Sequence, residues 1–192
     1  MANILLLGPQ GAGKGTQGRL MAAEHGIPHV ATGDMLRAAM DADTELGRRV
    51  KPLYDGGHLV PDDLMIALIR ERLGEEDARE GFVLDGFPRT MPQAEALEEM
   101  LREIARDLDV VFEFQLDDAV GVERMLRRAA EEGRADDTPE AIDERLRLYH
   151  LETEPLIEYY RARGNLVGIH ADRPVQDVFR EIQQALEQVA VR

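Results

Sequence analysis

The segment Gly8-Pro9-Gln10-Gly11-Ala12-Gly13-Lys14 constrains this chain more than any other. The apolar run Ile4-Leu5-Leu6-Leu7 precedes it, and Thr16-Gln17-Gly18-Arg19-Leu20-Met21, with helical character, follows. Strand, glycine-rich turn, lysine and helix in that order match the first seven positions of GxxxxGK[ST]. The glycines let the backbone wrap so that successive N–H groups point inward. The helix N-terminus adds partial positive charge, so the loop suits a phosphate. Lys14 is placed to reach the oxygens of a transferring phosphoryl group. The motif departs at its eighth position, where Gly15 stands and the hydroxyl comes one place later at Thr16. Spacing alone therefore does not put a hydroxyl on a magnesium ion.

Further apolar runs read as strands at Phe82–Leu84, Val110–Phe114 and Leu166–Ile169, with a weaker one at Ile27–Val30. Helical periodicity fills most of the intervals. Leu64, Leu68, Ile69 and Leu73 share a face, with Asp62 or Asp63 as the expected N-cap. Thr138-Pro139-Glu140 starts a helix with proline at its first position. Ala141–Arg163 then reads as one helix, bent near Pro155 and stopped by Gly164. Strands alternating with helices predict an α/β fold whose parallel sheet is covered on both faces. Two stretches interrupt the alternation, Thr32–Gly81 and the polar loop Glu131–Thr138. Ligands in such sheets sit beyond the carboxyl ends of the strands, so both stretches are candidates to cover a substrate.

A length of 192 residues predicts one domain. The 38 Asp and Glu outnumber the 23 Lys and Arg, giving a net charge of −15. That balance opposes nonspecific binding to nucleic acid or to an anionic membrane, and it requires any anion site to be locally basic. Only Lys14 and Lys51 are lysines; the other basic residues are arginines, whose planar forks suit phosphate. Cysteine is absent, which excludes disulfides and cysteine-bound zinc. No apolar run reaches membrane-spanning length, and the N-terminal apolar run is too short for a secretion signal, so a cytoplasmic location is expected. The five histidines show no metal-binding spacing. The strand Phe82-Val83-Leu84 ends in Asp85, placed to hold Mg²⁺ beside the phosphate loop.

Gly11-Ala12-Gly13-Lys14-Gly15-Thr16-Gln17, Thr32-Gly33-Asp34-Met35-Leu36-Arg37 and Leu84-Asp85-Gly86-Phe87-Pro88-Arg89-Thr90 resemble the blocks of the nucleoside monophosphate kinase family. Gly133-Arg134-Ala135-Asp136-Asp137, with Arg145 on the following helix, extends the resemblance over essentially the whole chain. In that family glycine after the lysine is the normal form. The resemblance implies a three-layer α/β/α fold of the P-loop NTPase type, with a five-stranded parallel sheet. It also implies a core (1–30, 61–129, 138–192), a small monophosphate-binding subdomain (31–60) and a short lid (130–137) without a zinc-bearing insertion. The activity implied is reversible phosphoryl transfer, ATP + AMP = 2 ADP, with Mg²⁺ held near Asp85 through water and no zinc; a monomer is expected because the subdomains must move freely.

By the same resemblance, Gly11, Ala12, Gly13, Lys14, Gly15, Thr16, Arg124, Arg128 and Arg173 would bind ATP. Arg124 would stack on its adenine, and Arg173 would belong to a loop that cradles it. Thr32, Gly33, Arg37, Leu59, Val60, Gly86, Arg89, Gln93, Arg134 and Arg145 would bind AMP, with Thr32 and Gln93 reading its base. Lys14, Arg89, Arg128, Arg134 and Arg145 would serve catalysis; Arg127 adjoins Arg128, so a slip of one residue would exchange them.

The chemistry needs no general base. An acceptor phosphate with a second pKa of about 6 is already largely ionised at neutral pH. Cations converging on a loose transition state suffice. A guanine-reading Asn-Lys-x-Asp is impossible with lysine only at 14 and 51, which excludes a GTPase switch. Asp136 and Asp137 could cap the following helix or pair with the lid arginines. Met35, Met40 and Met65 read as core or pocket lining.

Overall fold

The computed structural model describes residues 2–134 and 136–190, with the side chains of 189 and 190 excepted. Ala135 in the expected lid, and residues 1, 191 and 192 at the ends of the expected core, lie outside the described residues. The chain runs β1 (Ala2–Leu7), α1 (Lys14–His25), β2 (His29–Ala31), α2 (Thr32–Asp41), α3 (Glu45–Asp55) and α4 (Asp62–Leu73). It continues through β3 (Gly81–Asp85), α5 (Met91–Glu103), β4 (Val110–Gln115), α6 (Asp118–Glu132) and α7 (Pro139–Leu148). A π turn (Tyr149–Thr153), α8 (Pro155–Arg161), β5 (Leu166–His170) and α9 (Val175–Ala190) follow.

Among the described residues the five strands form one parallel sheet in the order β2-β3-β1-β4-β5. The order reverses about β1, so a crevice opens at its carboxyl end between the turns after β3 and β4. Alternation along the strands divides the core. Leu5, Leu7, Phe82, Leu84 and Val111 face a layer with α4, α5 and α8. Ile4, Leu6, Val83, Val110, Phe112, Phe114 and Ile169 face α1 and α9. A period of two with both faces buried makes these strands read as unbroken apolar runs.

Several local expectations are corrected. Strand β2 starts two residues later than expected, because Pro28 has no N–H and only its carbonyl joins the sheet, accepting from Val83 N at 2.9 Å. The N-cap of α4 is Pro61, not Asp62 or Asp63. Asp62 accepts instead from Thr90 Oγ1 at 3.0 Å and Gln93 Nε2 at 2.7 Å. Helix α6 runs on to Glu132 and ends on Gly133, so the polar loop is shorter than Glu131–Thr138. The helix expected over Ala141–Arg163 is broken into α7, the π turn and α8. Pro155 cannot donate to the preceding turn, and Glu154 N reaches back five residues to Tyr149 O at 2.8 Å. Neither Asp136 nor Asp137 caps α7; the Thr138 side chain does, accepting from Ala141 N at 3.2 Å.

Candidate active site

The loop between β1 and α1 lies against α6. Gly11 has φ +80°, and a Cβ there would stand 2.5 Å from the Gly121 carbonyl. A side chain at Gly121 would in turn reach the Gln10 carbonyl at 2.9 Å. Both positions must lack a side chain for the loop to lie on the helix that carries Arg124 and Arg128. Gly121 was missed in the sequence because helical periodicity gives a glycine no partner across space.

Helices α2 and α3 form an arm between β2 and α4, packed through Gly47, where a Cβ would collide with the Ala39 carbonyl. The arm reaches α7. Gly57, at φ +75°, lies so close that a Cβ would stand 2.5 Å from Ala141 O, and His58 Nδ1 is 3.2 Å from Glu144 Oε1.

A cavity of about 310 Å³ opens between these pieces, at the carboxyl end of β1. Its walls carry eight cationic side chains, Lys14, Arg19, Arg37, Arg89, Arg124, Arg128, Arg134 and Arg145, against four carboxylates, Asp34, Asp85, Glu132 and Asp136. Gly11, Ala12, Gly13, Gly15, Thr16, Gly33 and Gly86 also line it. Arg128 lines it and the exposed Arg127 does not.

Lys14 Nζ donates to the carbonyls of Gly8 and Pro9, each at 2.7 Å. The residue is half-buried at the cavity wall. Burial pushes its pKa down to about 8, against the opposing pull of Asp85 and with help from Arg89 and Arg128. Burial alone would raise the Asp85 carboxyl. His29, Lys14 and Arg89 outweigh it and hold Asp85 below the usual carboxylate range. His29 Nε2 stands 3.5 Å from Asp85 Oδ2, too far for a good hydrogen bond.

Most of the arginines are anchored by carboxylates. Arg128 donates from Nε and Nη2 to Asp137 Oδ2, at 2.9 and 2.6 Å. Arg145 donates to Asp137 Oδ1 at 2.6 Å and to Asp136 Oδ2 at 2.8 Å. Asp137 thereby ties the helix bearing Arg128 to the helix bearing Arg145. Arg134 pairs with Glu132 at 2.8 Å, and Arg37 with Asp34. Arg124 bridges the Gly11 carbonyl at 3.4 Å, the Ala171 carbonyl at 3.1 Å and Asp172 at 3.3 Å. Arg89 differs. Its Nε donates to Gly86 O at 2.8 Å, and among the described residues it forms no ion pair. Burial lowers its pKa, yet a guanidinium stays charged throughout the physiological range.

Other expected residues stand off the cavity wall. Thr32 is buried, its hydroxyl donating to Asp85 O at 3.3 Å. Gln93 is 2 % exposed, with Oε1 accepting from Arg89 N at 2.8 Å. Val60 belongs to the core, and Leu59 is half-buried beside it. The Arg173 side chain turns toward Glu181 and the His170 carbonyl. Tyr54, Asp62 and Thr153 were missed. Thr153 Oγ1 donates to Arg89 O at 2.9 Å from the π turn, a contact between residues 64 positions apart that no local pattern announces.

A sequence profile described as adenylate kinase matches residues 6–165. A protein of Clavibacter michiganensis named adenylate kinase is 47 % identical over 192 residues, spanning 100 % of this chain and 96 % of its own. One of Nitrobacter hamburgensis is 46 % identical over 191 residues (96 % and 92 %), and one of Cyanothece sp. 45 % identical over 189 residues (98 % and 97 %); both carry the same name. A phosphate loop facing a ring of arginines, and relatives this similar along nearly their whole length, place the chain in the adenylate kinase family.

Proposed function

We propose that the cations around this cavity carry out the family's reaction, ATP + AMP = 2 ADP, by position and charge neutralisation alone. The observation that carries this reading is the gathering of eight cationic side chains on one cavity in a chain of charge −15. Such a cavity holds anions against the field of the rest of the molecule. On the donor side, the 11–16 loop and Lys14 cradle the ATP phosphates, with Arg124 and the 171–174 loop at its base. On the acceptor side, Arg37 and Arg89 hold the AMP phosphate, with Gly33 and Gly86 beside it. Arg128, Arg134 and Arg145 neutralise the charge spread over the transferring group. Residues 31–60 act as the monophosphate-binding arm and 130–137 as the lid, their closure excluding water.

Thr32, Leu59, Val60 and Gln93 form the base-reading side. The contacts of Gln93 with Asp62 and Arg89 N fix the sense of its amide. They leave one N–H and one lone pair for the adenine edge.

The residues present fit Mg²⁺. Asp85 offers a largely enclosed carboxylate held in its ionised form, and Thr16 lines the same cavity. Among the described residues no cluster of three or more His, Asp or Glu could hold a metal by itself. One carboxylate completed by water and substrate phosphates is the habit of Mg²⁺ rather than of zinc. When bound, the ion supplies positive charge to the phosphate oxygens. Among the described residues no helix is long and apolar enough to cross a membrane. A cytoplasmic location suits that, and a monomer suits an arm and a lid that must move freely.

Acceptor comparison tests the reading. With Mg-ATP as donor, kcat/KM for AMP is expected to exceed that for UMP and CMP by at least about tenfold, as complementary base contacts allow. GMP completes the series. Equal or better turnover of UMP or CMP would overturn the base assignment.

A pH profile tests Lys14. Its protonated form is the one that binds phosphate, and the free protein loses that proton as pH rises through about 8. We expect kcat/KM for ATP to fall above that pH. The anionic charge of bound triphosphate keeps the proton on Lys14, so kcat should hold level further into the alkaline range. A kcat/KM profile flat to about pH 9.5 would contradict this.

A further inference from the structure

Tyr54, on α3, touches two of the arginines from opposite walls of the cavity. Its hydroxyl accepts a hydrogen bond from Nη1 of Arg37, an arginine of the same arm. Its ring lies 5.6 Å from the guanidinium of Arg145, on α7, and its backbone carbonyl is 3.4 Å from Arg145 Nη2. The ring also packs against the core, a task phenylalanine would perform as well; the hydroxyl is spent on Arg37.

We propose that Tyr54 is a positioning residue for the acceptor side of the reaction. Its hydroxyl sets the rotation of the Arg37 fork, while its ring and carbonyl meet Arg145 across the arm–α7 contact. Without the hydroxyl, the one hydrogen-bond partner left to the Arg37 guanidinium among the described residues is Asp34, a neighbour three residues away on an exposed helix face. A long side chain tied at one end samples many rotamers, and ordering them on binding weakens the grip on phosphate. With both partners in place, Asp34 and Tyr54 hold two donors of one planar group, which fixes its rotation and leaves the other N–H groups free for phosphate. The inference rests on the assignment of Arg37 to the acceptor phosphate.

A double-mutant cycle of Tyr54→Phe and Arg37→Ala, read in the steady-state kinetics of both nucleotides, tests it. Tyr54→Phe is expected to lower kcat/KM for AMP about tenfold, just below the low end of what one hydrogen bond to a charged group contributes. KM for ATP should stay within about twofold and the melting temperature within about 2 °C, since packing is conserved. In the Arg37→Ala background the same substitution is expected to add nothing for AMP. Wild-type AMP kinetics in Tyr54→Phe, an equal loss in both backgrounds, or a parallel loss for ATP and AMP with a lower melting temperature each overturn the proposal. Wild-type AMP kinetics in Arg37→Ala alone would instead remove the assignment on which it stands, and the single variants tell the two failures apart.

Discussion

Lys14→Met should lower kcat by about 10²-fold or more and at the same time raise the melting temperature. The activity loss follows from removing the one lysine that the phosphate loop contributes, in a cavity proposed to act by position and charge neutralisation. The stability gain follows from its burial. The folded protein holds the Lys14 ammonium at a pKa of about 8 against 10.5 for an ordinary lysine. The unfolded chain therefore binds that proton more tightly. The penalty is full below about pH 8, where both states are charged, and fades between about 8 and 10.5, where only the unfolded chain is. At neutral pH it amounts to about 3 kcal/mol at most, a rise of several degrees for a chain this size. Methionine keeps the stem's packing. Water from the cavity can take the ammonium's place at the Gly8 carbonyl, which borders it. Retention of more than about a tenth of the wild-type rate would sink the charge argument. A lower melting temperature would show that the carbonyl contacts outweigh desolvation.

Arg145→Met should also abolish most activity, again by about 10²-fold or more, but with the opposite effect on stability. Arg145 is nearly buried and donates to two aspartates, one of which, Asp137, has a fully buried side chain. Among the described residues, removing the guanidinium leaves Asp136 without its cation and Asp137 with Arg128 alone. Breaking a buried ion network from one side costs about 3 kcal/mol or more, because an uncompensated charge stays behind. Lysine should not rescue it, since one ammonium cannot span two carboxylates as the fork does. Adding Asp136→Asn to Arg145→Met is expected to recover part of the stability and none of the rate, because it removes the carboxylate left without a cation. Thermal melts and initial rates on the three proteins decide the matter, and an Arg145→Met protein as stable as the wild type would refute the network's role.

The two variants show why the candidate site was only partly legible in the chain. The phosphate loop was readable because everything that defines it is local. Strand, glycines, lysine and helix start lie within fourteen consecutive residues, and backbone geometry fixes where their N–H groups point. The parallel sheet was readable for the same kind of reason. Doubly buried strands are written as short apolar runs, with helical stretches between them. The roles of Asp136 and Asp137 are not legible in the chain, since a short acidic pair before a helix reads equally as a cap or as partners of the lid arginines. Only with Thr138 in place as the cap do the two carboxylates reach Arg128 and Arg145. Asp62 was misread as a cap, because its true partners, Thr90 and Gln93, lie 28 and 31 positions away.

Local sequence thus determined the phosphate loop, the strand set and the surplus of arginine over lysine, because each depends on neighbouring residues or on counting. The tertiary structure decided which arginines converge, which carboxylates hold them, and that Tyr54, Gly121 and Thr153 support the site. Those are properties of side chains that meet across the crevice at β1, where the sheet order reverses. Sequence distance carries no information about such meetings until the helices have packed.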